Sequence, residues 1–141
     1  MTPDQIAQVR SSFAKVAPIA EPAAALFYGR LFEIAPEVRG LFKADMAEQG
    51  RKLMKTLAVV VNGLDNLPAL MPAVNALARK HVGYGVTAAH YAPVGEALLW
   101  TLEQGLGEAF TPEVRDGWMQ AYTTLSGAMI AAAEASPAAA S

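Results

Sequence analysis

Of the two histidines in this chain, His81 has the position in the sequence that better suits a metal or cofactor ligand. It follows Leu70, Val74 and Leu77 at spacings of 11, 7 and 4 residues, which puts all four on one helix face. An imidazole that extends an apolar face needs a buried hydrogen-bond partner or something to bind. Two interpretations are open: a core histidine bonded within the fold, or a ligand to a metal or a metal-bearing cofactor, since imidazole is the commonest protein metal ligand.

Other catalytic apparatus is mostly absent from the sequence. The chain has no cysteine, which excludes disulfides, thiolate ligands and cysteine nucleophiles. It also has no glycine-rich phosphate loop, no Glu-x-x-His pair and no His-Glu-x-x-His motif. The acidic pairs, such as Glu33 with Glu37, lie beside helix breaks, where solvated charge explains them. A metal must therefore be held by His, Asp or Glu, or arrive inside a cofactor.

Length and composition limit the class of protein. The 141 residues suit one domain with a single core. A hydrophobic fraction of 53% argues against disorder, and a net charge of −2 argues against a nucleic-acid partner. The first residues show no charged segment followed by an apolar run, and no stretch has the length of a membrane span. We therefore expect a cytoplasmic protein without membrane insertion.

The elements that must position His81 are predicted to be helices. Thr2 and Gln5 read as an N-cap and its capping-box partner, and this first helix extends to about Ala17. Prolines at 18 and 22 break the pattern, and a second helix ends before Pro36. The apolar face predicted for that second helix consists of Leu26, Phe27, Leu31, Phe32 and Ile34.

Apolar residues at helical spacing predict four further helices after a short helical turn over 36–42 and a polar loop over 43–48. The first begins near 48 and is closed by 62–63 or by 65–66, and the others cover about 67–84, 88–106 and from 111 onward. The one β-branched run, 59–61, lies inside a stronger helical period, so no strand is predicted. The expected fold is an all-α, irregular bundle over residues 1–134, with a disordered tail over 135–141.

The residues around His81 form a familiar set in a specific order. Segment 36–42 is followed by Gln49 with Leu53 one turn on, then by 66–68, 79–81, 85–86 and 90–91. This order closely resembles the bacterial globins, both the single-domain haemoglobins and the haem domain of flavohaemoglobins, over nearly the whole chain up to about Glu134. The resemblance implies a globin fold of six to eight helices around a haem pocket.

The same resemblance implies roles for individual residues. His81 would be the proximal ligand to the iron of haem b, with Phe42 packed on the face of the haem. Tyr28 and Gln49 match the family's distal pair, whose hydroxyl and amide donate hydrogen bonds to bound dioxygen, while Leu53 would limit the space above the iron. The remaining cofactor contacts implied are Leu77, Val86, Tyr91 and Val94.

Some positions depart from the family pattern. Tyr91 matches the tyrosine that, with a glutamate, supports the proximal histidine in flavohaemoglobins. The glutamate position falls on Ala133, however, and Glu134 is turned about 100° around the helix from it. Gly50 stands where several relatives have proline, and we expect it to loosen the start of the helix that carries Gln49.

The function expected is binding, storage or transport of dioxygen, with nitric oxide and carbon monoxide as further ligands. A first alternative is nitric oxide dioxygenation or peroxidase-like activity served by a separate reductase, since 141 residues leave no room for a flavin or nicotinamide domain. A second alternative is a haem-based sensor or a haem-free regulatory globin. The oligomeric state stays open, because the alanine-rich faces of the last two helices suit internal packing and subunit pairing equally.

Overall fold

The computed structural model describes residues 2–41, 46–83 and 88–135, and within these ranges all regular elements are helical. The α-helices of the described ranges are α1 (Pro3–Val16), α2 (Ala20–Ile34), α3 (Met46–Asn62), α4 (Leu67–Gly83), α5 (Tyr91–Leu106) and α6 (Pro112–Ala135). Short 3₁₀ turns lie at Ala17–Ile19, Pro36–Leu41, Ala88–His90 and Gly107–Ala109. The all-α prediction is confirmed. The predicted disordered tail lies outside the described residues from 136 onward.

The start of α1 shows how local sequence sets a helix boundary. The Gln5 backbone N–H donates to the Thr2 hydroxyl over 3.1 Å, and the Thr2 backbone N–H donates to the Gln5 side-chain oxygen over 3.0 Å. This reciprocal capping box satisfies amide donors that have no partner inside the helix. The capping predicted from the sequence is therefore confirmed.

Three helix starts differ from the prediction for identifiable reasons. Pro22 does not break α2 but lies in its first turn, where a missing N–H is tolerated. Helix α3 begins at Met46, before the predicted start near 48, and the half-buried Met46 packs against the main core. The α-helical part of α5 begins at Tyr91 rather than 88, which places Pro93 in its first turn.

The buried face of α2 is also displaced from the predicted one. Leu26 is 41% exposed, so its assignment to the core was wrong. Phe27 and Leu31 are buried as predicted, but the face is completed by small residues, Ala23 and Ala24. A helix advances about 100° per residue, which turns Leu26 away from the stripe that Phe27 follows. The alanines allow neighbouring helices to approach α2 closely.

The helices bury two separate apolar clusters. The larger one joins α1, α2, α3, α5 and α6 and contains Phe27, Leu31 and Trp118. The smaller one joins α4 to α6 through Leu70, Val74, Ala78 and Met129. Helix α2 packs on α3 and α5, whereas α4 packs on α6. As a result α4, the helix that carries His81, is held on α6 and stands apart from α3.

Two polar ties fix elements that are distant in sequence. The buried Trp118 indole N–H donates to the Ser12 hydroxyl over 2.8 Å, which in turn donates to the Val9 carbonyl over 2.9 Å. Arg10 donates to the carbonyl of Asn62 over 2.8 Å and pairs with Asp65 at 2.9 Å. These contacts hold α1 against α6 and close the carboxyl end of α3. Among the described residues, no helix combines the length and apolarity that a bilayer crossing needs.

Candidate functional site

The separation of α4 from α3 leaves a groove of about 280 Å³ between them. Thr56, Val59 and Val60 of α3 form one wall. The opposite wall comes from α4 and includes Val74 and Leu77. Residues 63–66 connect the two helices.

His81 directly follows Lys80, the last α4 residue in the groove wall. It is half-buried and follows Leu77 by one turn, so it continues the stripe that lines the wall. Its Nδ1 lies 2.8 Å from the Leu77 carbonyl oxygen. Since a carbonyl can only accept, Nδ1 carries the proton of the neutral ring, and the lone pair is on Nε2. Burial lowers the pKa of His81 below 6.5, which outweighs the opposing effect of this hydrogen bond and keeps the ring neutral near pH 7.

Tyr28 and Gln49, predicted to act together, are brought into contact by the packing of α2 on α3. The Tyr28 side chain is buried and hydrogen-bonded to the Gln49 side chain. Burial raises the pKa of Tyr28 to about 12, against a smaller lowering by that hydrogen bond. The ring of Phe27 meets the tyrosine ring edge-on with 4.9 Å between the ring centroids, and the ring of Phe32 stacks on it with 6.1 Å between the centroids. The hydroxyl is therefore a neutral donor held in a fixed aromatic setting.

A contact between two small residues sets the separation of α2 and α3 beside this pair. A side-chain carbon placed on Gly50 would lie 2.9 Å from the Ala24 side chain, closer than such atoms pack. Gly50 follows Gln49 directly, and Ala24 precedes Tyr28 by one turn. The glycine, expected from sequence to loosen the helix, is buried and permits a close helix approach. Neither Gly50 nor Ala24 was predicted from the sequence to position the Tyr28–Gln49 pair. The available signal was a small residue directly after Gln49 and another one turn before Tyr28.

The other predicted contacts divide between described and undescribed positions. Leu53 is half-buried, one turn after Gln49, and packs against the main core, as does Val94 of α5. Leu77 lines the groove. Phe42 and Val86 lie outside the described residues.

Tyr91 packs against the smaller cluster that supports α4. Its backbone carbonyl accepts a 2.6 Å hydrogen bond from the Tyr122 hydroxyl. Burial raises the pKa of both tyrosines, and the neighbouring Tyr91 adds to the rise at Tyr122. The Glu134 side chain, the candidate glutamate partner of Tyr91, lies outside the described side chains. The tyrosine is thus anchored through its backbone to α6.

The side chains available suit a metal carried inside a cofactor better than a bare ion. Nowhere in the described ranges do three or more His, Cys, Asp or Glu residues converge as ligands. His81 instead brings one oriented imidazole ring next to the wall of an apolar groove. A cofactor that needs one nitrogen ligand and a large apolar contact surface fits this donor set.

Comparison with known proteins gives consistent relatives. The family model for globins matches residues 25–129. Neuroglobin from Chaenocephalus aceratus is 31% identical over 135 residues, covering 86% of this chain and 85% of the relative. The flavohemoprotein from Bordetella parapertussis is 38% identical over 107 residues, covering 74% of this chain. The match spans 27% of that flavohemoprotein, about a quarter of its length.

Solved structures agree on the fold. An engineered carbene transferase, from a Rhodothermus marinus protein assigned as a nitric oxide dioxygenase, superposes with a TM-score of 0.84 and 28% identity, covering 93% of this chain and 92% of the other. A bacterial globin from Campylobacter jejuni gives a TM-score of 0.81 at 24% identity, covering 93% and 95%, and shows the fold alone. The family match over most of the chain and the likeness to neuroglobin establish that this chain belongs to the globin family.

Proposed function

We propose that this globin binds haem b and binds dioxygen reversibly. The observation that carries the proposal is the placement of candidate ligand-binding side chains on the two helices that line the α3–α4 groove. His81 continues the α4 wall beyond Lys80, and α3, which forms the other wall, carries Gln49 in its first turn, hydrogen-bonded to Tyr28 of α2. A single nitrogen ligand on one helix of an apolar groove, with a Gln–Tyr pair of neutral donors carried by the other helix and by α2, suits a haem with a small polar ligand.

When bound, haem supplies an iron atom that binds small diatomic ligands. The protein would hold it through Nε2 of His81. The hydrogen bond from Nδ1 to the Leu77 carbonyl orients the ring and makes Nε2 a stronger electron-pair donor to the iron. Leu77 and Val74 present apolar surface to the ring system. Lys80 lines the same groove and offers a cation to the carboxylates that haem carries.

Tyr28 and Gln49 would act on the bound dioxygen rather than on the cofactor. With its pKa raised to about 12, the Tyr28 hydroxyl stays protonated near pH 7 and can donate. The Gln49 amide provides N–H donors, and the apolar Leu53 one turn later restricts water. A hydrogen bond to a partly charged ligand in a dry pocket is worth about 1–3 kcal/mol. Two such donors favour slow dioxygen release.

The first experiment is an absorption titration of the purified, haem-reconstituted protein with and without dioxygen and carbon monoxide. The expected result is a Soret band that shifts with each ligand and is lost or strongly altered in His81→Ala. His90→Ala is the matched control, since it removes the other histidine and should leave the spectrum unchanged. A wild-type protein that takes up no haem would overturn the proposal and favour a haem-free regulatory globin.

A second candidate activity is nitric oxide dioxygenation with electrons from a separate reductase. It is favoured by the 38% identity to a flavohemoprotein and by the TM-score of 0.84 to the Rhodothermus marinus protein. The test is consumption of nitric oxide by the dioxygen-loaded protein together with a cellular reductase fraction and reduced nicotinamide. Sustained turnover would establish the enzyme, whereas a single stoichiometric reaction would leave reversible dioxygen binding as the role.

A further inference from the structure

A chain of three contacting side chains leads from the surface to the buried Tyr28. Arg39 is exposed, Phe32 is half-buried and Tyr28 is buried. The guanidinium carbon of Arg39 lies 5.2 Å from the centroid of the Phe32 ring, within the range of a cation–π contact. The Phe32 ring in turn stacks on the Tyr28 ring, with an angle of 28° between the two planes. A change at the surface can therefore reach the candidate site through one aromatic ring.

The backbone on both sides of this contact is held in place. Phe32 follows Tyr28 by one turn of α2, so the two rings lie on one helix face. Arg39 belongs to the 3₁₀ turn that follows α2, and the residue before it, Val38, is buried in the main core. The Val38 N–H donates to the carbonyl of Ala35, just after the end of α2, over 3.0 Å. The Arg39 side chain thus starts from an anchored backbone.

The Phe32 ring is the partner that the structure shows for the Arg39 cation. Within the described ranges no carboxylate forms an ion pair with Arg39. Phe32 is only half-buried, so the core does not enclose its ring completely, and the exposed guanidinium supplies a contact on the outer side. Such a contact restricts the ring because a rotation of Phe32 would break it. The position of the ring that touches Tyr28 is therefore set partly from the surface.

We propose that Arg39 is a positioning residue, which holds the Phe32 ring against Tyr28 and so fixes the direction of the Tyr28 hydroxyl. The role rests on the proposed function, in which that hydroxyl donates to bound dioxygen. Arg39 acts through Phe32 and needs no contact with the ligand or the cofactor. An exposed cation–π contact is worth a factor of about 2 to 5 in an equilibrium constant, and this sets the upper limit of its effect on dioxygen release.

The test compares Arg39→Met with Arg30→Met, which removes a cation–π contact of nearly the same geometry. Arg30 lies 5.3 Å from the Trp100 ring centroid and, two residues after Tyr28, is turned about 160° around α2 from it. In stopped-flow displacement by carbon monoxide, Arg39→Met should release dioxygen about 2 to 5 times faster than wild type, and Arg30→Met at the wild-type rate. Arg39→Lys keeps a cation at this position and should restore most of the wild-type rate.

Two spectroscopic measurements separate a positioning role from a general loss of stability. In the carbon monoxide complex, a hydrogen bond to the ligand lowers the C–O stretching frequency, so Arg39→Met should raise it toward the value of Tyr28→Phe. In the haem-free full chain, the NMR signals of the Tyr28 ring should move in Arg39→Met and stay in place in Arg30→Met. Phe32→Leu should reproduce both changes, and adding Arg39→Met to it should have no further effect.

Dioxygen release at the wild-type rate in Arg39→Met, beside faster release in Tyr28→Phe, would overturn the role. Equal effects of Arg39→Met and Arg30→Met would also overturn it, as would a further effect of Arg39→Met in the Phe32→Leu background. A protein that takes up no haem would refute the proposed function instead. The Tyr28 ring signals of the haem-free chain then decide the contact by themselves: a shift in Arg39→Met supports the positioning of the ring, and unmoved signals overturn it.

Discussion

At the scale of single residues, one hydrogen bond selects the nitrogen of His81 that can bind a metal. Nδ1 donates to the Leu77 carbonyl, which leaves the lone pair on Nε2. The sequence placed His81 on the correct stripe, but the tautomer depends on a backbone carbonyl that no residue pattern reveals. The same holds for Tyr28: its type suggests a donor, whereas its burial and its contact with Gln49 had to be seen in the structure.

The lowered pKa of His81 predicts an acid-sensitive fold. The folded protein favours the neutral ring, whereas the unfolded chain protonates near 6.5. The resulting stability is present above that pH and is lost as the pH falls below it toward the lower folded-state value. In urea unfolding of the haem-free protein at about pH 7.5 and about pH 5.5, wild type should lose more stability on acidification than His81→Leu. Equal losses in the two proteins would contradict this.

Removing either distal donor should speed dioxygen release. A loss of about 1–3 kcal/mol per hydrogen bond predicts that Tyr28→Phe and Gln49→Leu each raise the dissociation rate by a factor between about 5 and about 150. Stopped-flow displacement of dioxygen by carbon monoxide measures this rate. Tyr122→Phe removes the hydroxyl of a half-buried tyrosine that has its own partner; it is the control and should release dioxygen at the wild-type rate. An unchanged rate in Tyr28→Phe would remove that residue from the site.

At the scale of elements, the close contact of Gly50 with Ala24 sets how α2 and α3 cross. Gly50→Ala adds a carbon 2.9 Å from the Ala24 side chain, so the helices must separate. Overpacking of this kind costs about 1–3 kcal/mol of unfolding free energy. The shift should also weaken the Tyr28–Gln49 contact and speed dioxygen release.

A glycine in open space provides the control for that prediction. Gly127 of α6 has nothing near its missing side chain, and Gly127→Ala should be neutral or stabilise the helix by up to about 1 kcal/mol. Urea unfolding and the dioxygen release rate are measured for both variants. If Gly50→Ala behaves like Gly127→Ala, the crossing is not set by this contact.

Most elements were predictable from the sequence because their signals are local. The Thr2–Gln5 capping box and the apolar stripe from Leu70 to His81 each depend on residues within a few turns. Leu26 was wrongly assigned to the core because α2 packs against its neighbours through alanines. Helix propensity does not show which face of a helix a neighbour will contact. The contact between Tyr28 and Gln49 was expected from the family resemblance alone, because a contact between two helices produces no periodic residue pattern in the sequence.

At the scale of the whole molecule, α1 and α6 are tied by a buried polar contact between residues 106 positions apart. Ser12→Ala would leave the Trp118 indole N–H buried without its acceptor, at a cost of about 1–3 kcal/mol. Thermal or urea unfolding measures this. Ser126→Ala removes a surface hydroxyl of α6 and should change stability by less than about 0.5 kcal/mol. Similar values for the two variants would show that the tie contributes nothing.

Because the helices are buried in two apolar clusters of different size, we expect some helices to unfold locally more readily than others. Helix α4 is secured by a small cluster on α6, whereas α2 and α5 are held in the large core. Elements with few buried contacts unfold locally at lower free energy, so amide hydrogens of α4 should exchange with solvent sooner than those of α2. A group seated in the α3–α4 groove would supply the contacts that α4 lacks and slow that exchange. Haem uptake by this globin would then be in part a folding reaction of a single helix.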